Sequence, residues 1–193
     1  MSRALIELVP IGNVDMDVLD FLALVLPETL PVSCRIRNHP IELDAAYHPL
    51  RQQYHSTTLL AQLIRGHRDP AAKVLGVTDV DLFIPILTFV FGEAQLGGAA
   101  AVLSVHRLDQ RFYGLPEDRR LLLERCEKEA LHELGHTFGL IHCSTFDCVM
   151  HFSNSIEHVD IKSNVFCPSC RRLLEEALAR LAPESKSPRR PPS

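Results

Sequence analysis

Three imidazoles and one carboxylate stand at the spacing of a hydrolytic metal site in His132-Glu133-Leu134-Gly135-His136-Thr137-Phe138-Gly139-Leu140-Ile141-His142. On a helix, residues four apart lie about 40° from eclipsed and about 6 Å apart along the axis, so His132 and His136 can grip one ion together. Glu133 falls about 100° round from His132, beside the ion rather than on it, where a carboxylate acts as acid and base toward a bound water. A helix continued to His142 would aim that ring about 240° away from His136 and about 9 Å further along, out of reach. Gly139 removes the obstacle. Glycine takes positive φ without a Cβ penalty, so the helix can stop there and the chain can carry His142 back under the ion. Three protein ligands leave one position for water, which is the catalytic rather than the structural arrangement. In a chain with ten histidines, HExxH alone arises by chance in roughly one sequence in thirty. Adding the glycine and the third histidine lowers this to roughly one in ten thousand, so the longer pattern carries the reading of a zinc peptidase.

Cysteines follow at once: Cys143 directly after His142, then Cys148-Val149-Met150, then Cys167-Pro168-Ser169-Cys170. These residues resemble the archaemetzincins, a branch of the metzincin zinc proteases, whose signature is HExxHxxGxxHC, then CxM, then CxxC. Every fixed position from His132 to Cys170 matches, and the gap between Met150 and the CxxC pair is one residue shorter than is usual in that family. The stretch 83–108, with Phe89-Val90-Phe91-Gly92-Glu93-Ala94 and Gly97-Gly98, is similar to the family as well. The resemblance implies an α+β, metzincin-like fold: a mixed twisted sheet with packed helices, an active-site helix, a methionine turn at Met150, and a C-terminal four-cysteine zinc site and helix. It implies two zinc ions. His132, His136 and His142 would hold the catalytic one, with Glu133 as general base, and Cys143, Cys148, Cys167 and Cys170 the structural one. Thiolates are preferred zinc ligands and four of them close a tetrahedron, which supports the second site on chemical grounds alone. A thioether at Met150 would be a buried packing residue under the ligands.

Two rival readings of the cysteines fare worse. A thioredoxin-like redox pair at the start of a helix would use Cys167 and Cys170 and leave Cys143 and Cys148 unexplained. A zinc deaminase needs HxE with PCxxC, whereas here His132 and Glu133 are adjacent and the proline lies inside the CxxC. Cys34 and Cys126 fit neither zinc site and are expected as small buried apolar residues.

The chain's 193 residues, 46% hydrophobic and 23% charged, suffice for one well-filled core, expected as a single catalytic domain over 1–182. The proline-rich end 183–193 is expected to be disordered. Cysteines spent on metal rather than disulfides point to a reducing, cytoplasmic setting. Glu7 and Pro10 interrupt any signal-peptide-like apolar run, and no inhibitory pro-segment is expected ahead of the first strand. No stretch has the length of a membrane span. A formal net charge of -4 argues against nucleic acid, which needs clustered Lys and Arg. The expected partner is a peptide or protein substrate, and the expected state a monomer.

Hydrophobic periodicity predicts strands over 5–11, 32–37, 73–79, 81–87 and 99–108, and helices over 15–27, 56–66, about 117–140 and 168–181. Pro85 marks its strand as an edge or a bulge. In metzincins an edge strand above the zinc aligns an extended substrate by backbone pairing. The segment 99–108 holds the matching place in the chain, against the plainer alternative of an interior strand.

The expected chemistry is peptide hydrolysis. Zinc brings the pKa of its water to about 7, and Glu133 takes the proton during attack and returns it to the leaving amine. A tyrosine after the methionine turn, used by several metzincins on the oxyanion, is missing, since Tyr47, Tyr54 and Tyr113 all precede Met150. His151 and His158 are expected as surface or satisfied core residues. The alternative function is a zinc-stabilised binding or chaperone-like module that keeps the protease constellation with little turnover.

Overall fold

The computed structural model describes residues 4–69 and 72–181. Strand β1 (Ala4–Ile11) leads into helix α1 (Met16–Thr29). The carboxylate of Asp15 accepts the Asp17 N–H and so caps the helix start. Val18, Leu19, Leu22 and Leu26 recur at helical spacing and bury one face. Strand β2 (Val32–Ile36) then lies parallel to β1, as the intervening crossover helix requires. Two short strands, β3 (Tyr47–His48) and β4 (Gln53–His55), precede α2 (Ser56–Gly66) and the central strand β5 (Ala72–Thr78). All seven residues of β5 are buried, as in a strand covered on both faces. Next come β6 (Leu82–Phe83), β7 (Gly92–Ala94) and β8 (Ala100–Ser104).

The main sheet runs β2-β1-β5-β8-β7, and a small sheet runs β3-β4-β6. Only β7 is antiparallel to its neighbour in the main sheet. Side chains alternate across that sheet. Ile6, Leu8, Leu75, Val77, Ala101 and Leu103 face α1 and the long helix α3 (Arg119–Thr137). Val9, Ile11, Val74, Ala100 and Val102 meet Leu59, Leu60 and Leu63 of α2 on the other face. Helix α3 starts where the Asp118 carboxylate accepts the Leu121 N–H at 2.9 Å. Helices α4 (Ile156–Ile161) and α5 (Pro168–Leu181) complete the α+β fold.

Three expectations are corrected. The segment 99–108 is strand only over Ala100–Ser104, and it is interior, paired with β5 on one side and β7 on the other. The edge is β7, because the turn at Gln95 to Gly98 folds the chain back before β8 begins. Beyond Ser104 the Val105 carbonyl accepts from Leu108 and Asp109, which bends the chain out of the sheet. The expected strand 81–87 shrinks to Leu82–Phe83: Pro85 lacks an N–H to donate, and a turn closes with the Leu87 N–H on the Ile84 carbonyl. The active-site helix spans Arg119–Thr137 rather than 117–140. The tail expected over 183–193 lies outside the described residues. Among the described residues no helix is long and apolar enough to cross a membrane.

Candidate active site

The last turn of α3 ends as the glycine predicts. Gly139 has φ +90°, its N–H reaches the His136 carbonyl at 2.9 Å, and the Leu140 N–H reaches the Gly135 carbonyl at 3.0 Å. This pair of bonds is a Schellman closure with Gly139 in the left-handed position. Leu140 is buried in the core below, and two residues on, His142 returns over the helix. The rings of His132 and His142 stack at 5.3 Å between centroids, and those of His136 and His142 meet edge-on at 4.9 Å.

One donor nitrogen from each of the three histidines falls within 4.8 Å of the others. His132 Nδ1 lies 2.8 Å from the Val149 carbonyl and His136 Nδ1 lies 2.7 Å from the Leu140 carbonyl. A carbonyl only accepts, so both Nδ1 atoms carry the proton and both Nε2 lone pairs point inward. Those two Nε2 atoms are 3.1 Å apart. Zinc–nitrogen bonds of about 2.0–2.1 Å at a tetrahedral angle need about 3.3 Å, so the pair fits a shared zinc ion. Burial lowers the pKa of His132 well below its ordinary value and also lowers those of His136 and His142. These shifts favour the neutral rings that metal binding would require.

Glu133 is buried to 5% exposure and lines a cavity of about 460 Å³ together with the three histidines. Burial first, and the Glu129 carboxylate one turn below it second, hold its pKa well above the carboxylate range. Strand β7 passes directly over it. A Cβ on Gly92 would stand 2.6 Å from Glu133 Oε1 and 2.7 Å from the Val102 carbonyl, so only glycine lets the strand approach this closely. Beneath the site, Lys162 is wholly buried and pairs with Glu129 at 2.7 Å. Sequence reasoning missed Gly92 and this ion pair. Lone glycines and charges so far apart in the chain leave no local signal.

Met150 is fully buried against α3. A Cβ on Gly135 would come 2.4 Å from its sulfur, so the glycine inside the HExxH stretch makes room for the thioether. The four sulfurs of Cys143, Cys148, Cys167 and Cys170 gather within 4.8 Å of one another. Cys143 and Cys167 are 3.8 Å apart, and zinc–sulfur bonds of about 2.3 Å in a tetrahedron give about the same separation. The backbone N–H of Cys170 stabilises the Cys167 thiolate and lowers its pKa to about 7. That fits a metal thiolate as well as a redox thiol, and the convergence of all four sulfurs makes a group able to hold a metal ion.

The remaining candidates lie apart from the cleft. Nδ1 of His151 faces the Cys143 carbonyl at 3.0 Å, and His158 is half-buried on α4. Cys126 is fully buried, which pushes its thiol up to about 12, and half-buried Cys34 is pushed up to about 11.

Comparison with known proteins agrees with this geometry. The model of peptidase family M54 matches residues 23–176. The archaemetzincin of Pyrococcus furiosus is 45% identical over 192 residues, covering 92% of this chain and 96% of that one. The crystal structure of the archaemetzincin of Methanopyrus kandleri superposes with a TM-score of 0.81 at 40% identity, covering 92% of this chain and 97% of that one. For the archaemetzincin of Archaeoglobus fulgidus, crystallised with malonate, the TM-score is 0.75 at 39% identity, with 88% and 99% covered. The matched family segment and the near-complete coverage of these relatives lead to one conclusion: the chain belongs to the archaemetzincins of peptidase family M54 and is a zinc metallopeptidase.

Proposed function

We propose that the cleft hydrolyses peptide bonds with Glu133 as general base, His132, His136 and His142 holding a catalytic zinc, and Cys143, Cys148, Cys167 and Cys170 holding a structural one above the methionine turn at Met150. The observation that carries this reading is the convergence of three inward nitrogens within 4.8 Å on a cavity that Glu133 also lines. A zinc ion there supplies an acidified water and an electrophile for the scissile carbonyl. Glu133, buried beside the three histidines, is placed to accept a proton from a water attacking in the cleft and to return it to the departing amine. His132 and His136 stay in the required tautomer because their Nδ1 protons are committed to carbonyls.

Substrate alignment falls to β7 on this reading. The Phe91 carbonyl accepts from Ser104 and the Gln95 N–H donates to Ala100, so the main-chain groups of 91, 93 and 95 point at β8. Those of Gly92 and Ala94 point away from it, toward the cavity both residues line, and offer a short ladder to an extended peptide. Glu93 anchors the strand from behind, accepting from Ser56 at 2.6 Å and Thr57 at 3.0 Å. The lining holds no Lys or Arg, so an acidic substrate side chain would find no cationic partner there. We place the reaction in one domain over 1–182, with 183–193 outside it, acting as a monomer in the cytoplasm.

The test is Glu133→Ala assayed on a mixed peptide library, with zinc counted by mass spectrometry. Cleavage abolished by chelator in the unmutated chain, and reduced about 10²–10⁴-fold in the variant at unchanged zinc content, is expected. Full activity in the variant removes the base assignment. Uncut peptides in the unmutated zinc-loaded protein favour a binding module instead.

A further inference from the structure

The substrate-aligning strand and the metal-bearing helix come from different parts of the chain, and a third element joins them. Lys73 sits at the start of β5 on the face that α3 covers, 8% exposed. Its ammonium donates to two main-chain carbonyls: Thr137, the last residue of α3, at 3.0 Å, and Gly98, in the turn between β7 and β8, at 2.5 Å. The Phe138 ring lies 5.4 Å from the same nitrogen.

Both carbonyls sit at points that matter. Thr137 follows the ligand His136, and its carbonyl belongs to the last turn of a helix, where backbone acceptors run out of partners and a cation is favoured. Gly98 closes the β7–β8 turn, donating its N–H to Gln95 at 2.9 Å, with Gly97 at φ +64° in the position a type II turn gives to glycine. The Gly97 N–H reaches across to the His136 carbonyl itself at 2.8 Å. One direct hydrogen bond and one lysine bridge therefore tie the turn at the end of the edge strand to the helix turn that carries His136.

We propose that Lys73 is a positioning residue for the peptidase reaction, fixing the separation between the strand that aligns the substrate and the helix that holds the metal. This rests on the proposed roles of β7 and of His136. A substrate hydrogen-bonded to Gly92 and Ala94 brings its scissile carbonyl to the ion only if strand and helix keep their spacing. A misplacement of about 1 Å can lower turnover about a hundredfold. Burial lowers the pKa of Lys73, a cost the chain accepts for an ammonium that reaches two carbonyls at once.

The experiment compares the zinc-loaded protein with K73M and K73R. Two hydroxamates serve as probes: acetohydroxamate, which reaches only the metal, and a peptidyl hydroxamate long enough to pair with β7. In K73M we expect unchanged zinc content, an unchanged inhibition constant for acetohydroxamate, and a peptidyl hydroxamate weakened about tenfold or more. The loss in peptide cleavage should fall mainly on kcat rather than KM. K73R, still cationic, should recover most of it. Hydrogen exchange on the metal-free proteins gives a readout independent of turnover: the Gly97 amide should exchange faster in K73M and return toward the unmutated rate in K73R. Equal weakening of both hydroxamates, or an unchanged ratio between them, overturns the proposal, as does unaltered exchange at Gly97. If K73M does not fold, K73Q, which keeps a donor for one carbonyl, is read by the same criteria. Failure of the underlying reading shows itself separately, as unmutated protein that binds neither hydroxamate, and the exchange measurement still decides on Lys73.

Discussion

The three-histidine cluster and the four-cysteine cluster are joined by one peptide bond, between His142 and Cys143, yet they are held in opposite ways. His132 and His136 ride on one helix, and each has its outer nitrogen fixed by a carbonyl, so hydrogen bonds of the protein aim them. The four sulfurs come from separate stretches: the chain after α3, the methionine turn, and the start of α5. The N–H contacts to the sulfurs themselves, Thr145 to Cys143 at 3.4 Å and Cys167 to Cys148 at 3.3 Å, are long, and the stretches are joined instead by backbone bonds of 2.9 Å from Cys143 to Met150 and from Val149 to Val165. One site is arranged by the fold. The other, once it holds the proposed ion, would help arrange the fold, and its binding energy would count as folding energy.

The strongest way to break this contrast is to remove one ligand from each site. Structural zinc contributes about 10–16 kcal/mol in small domains. Cys170→Ser should therefore lose one zinc equivalent and melt far below the unmutated protein. His136→Ala should lose the other equivalent with little change in melting. Equal melting of the two variants, by calorimetry with metal counting, would erase the distinction.

A smaller effect probes how the fold supports the histidine site. Glu129→Ala leaves the Lys162 ammonium buried without its carboxylate, which costs about 3–5 kcal/mol. The uncompensated positive charge lies under the histidines, so zinc affinity should fall there and not at the cysteines. The paired change Glu129→Met with Lys162→Met should restore most of the stability. If both metal sites weaken together in Glu129→Ala, the pair supports the fold in general rather than this site.

Gly135→Ala is the mildest test, since it forces the added methyl against the Met150 thioether. A flexible side chain can yield, so about 1–3 kcal/mol is expected, with both zinc equivalents retained. A loss of cysteine-bound zinc would instead show that the methionine contact transmits strain between the two sites.

Much of the fold and of the site is legible in the sequence. The ligand spacing and the stop at Gly139 are local, and they follow from helix geometry and from the one residue that tolerates φ +90°. Helices α1, α2, α3 and α5 are expected from the sequence within a few residues of their bounds, though a capping side chain starts α1 and α3 and not α2. What was hidden depends on pairing across the chain. Strand β7 is three residues, Gly-Glu-Ala, with no apolar alternation, and only its register with β8 makes it the edge. The apolar run that does read as a strand, β8, is for that reason an interior one. Gly92 and Gly135 are conspicuous only once Glu133 and Met150 are seen beside them. Lys73 looks like an ordinary charged residue at a strand end until its two carbonyls, 25 and 64 positions away, are in place. The short α4 carries too few turns to register as a period.

The bond between His142 and Cys143 leaves no slack between the two clusters. The Cys143 N–H donates to the Met150 carbonyl at 2.9 Å and His151 Nδ1 meets the Cys143 carbonyl at 3.0 Å. A displacement at the sulfurs would therefore reach the third imidazole within a single residue, so damage to either cluster should register at its neighbour.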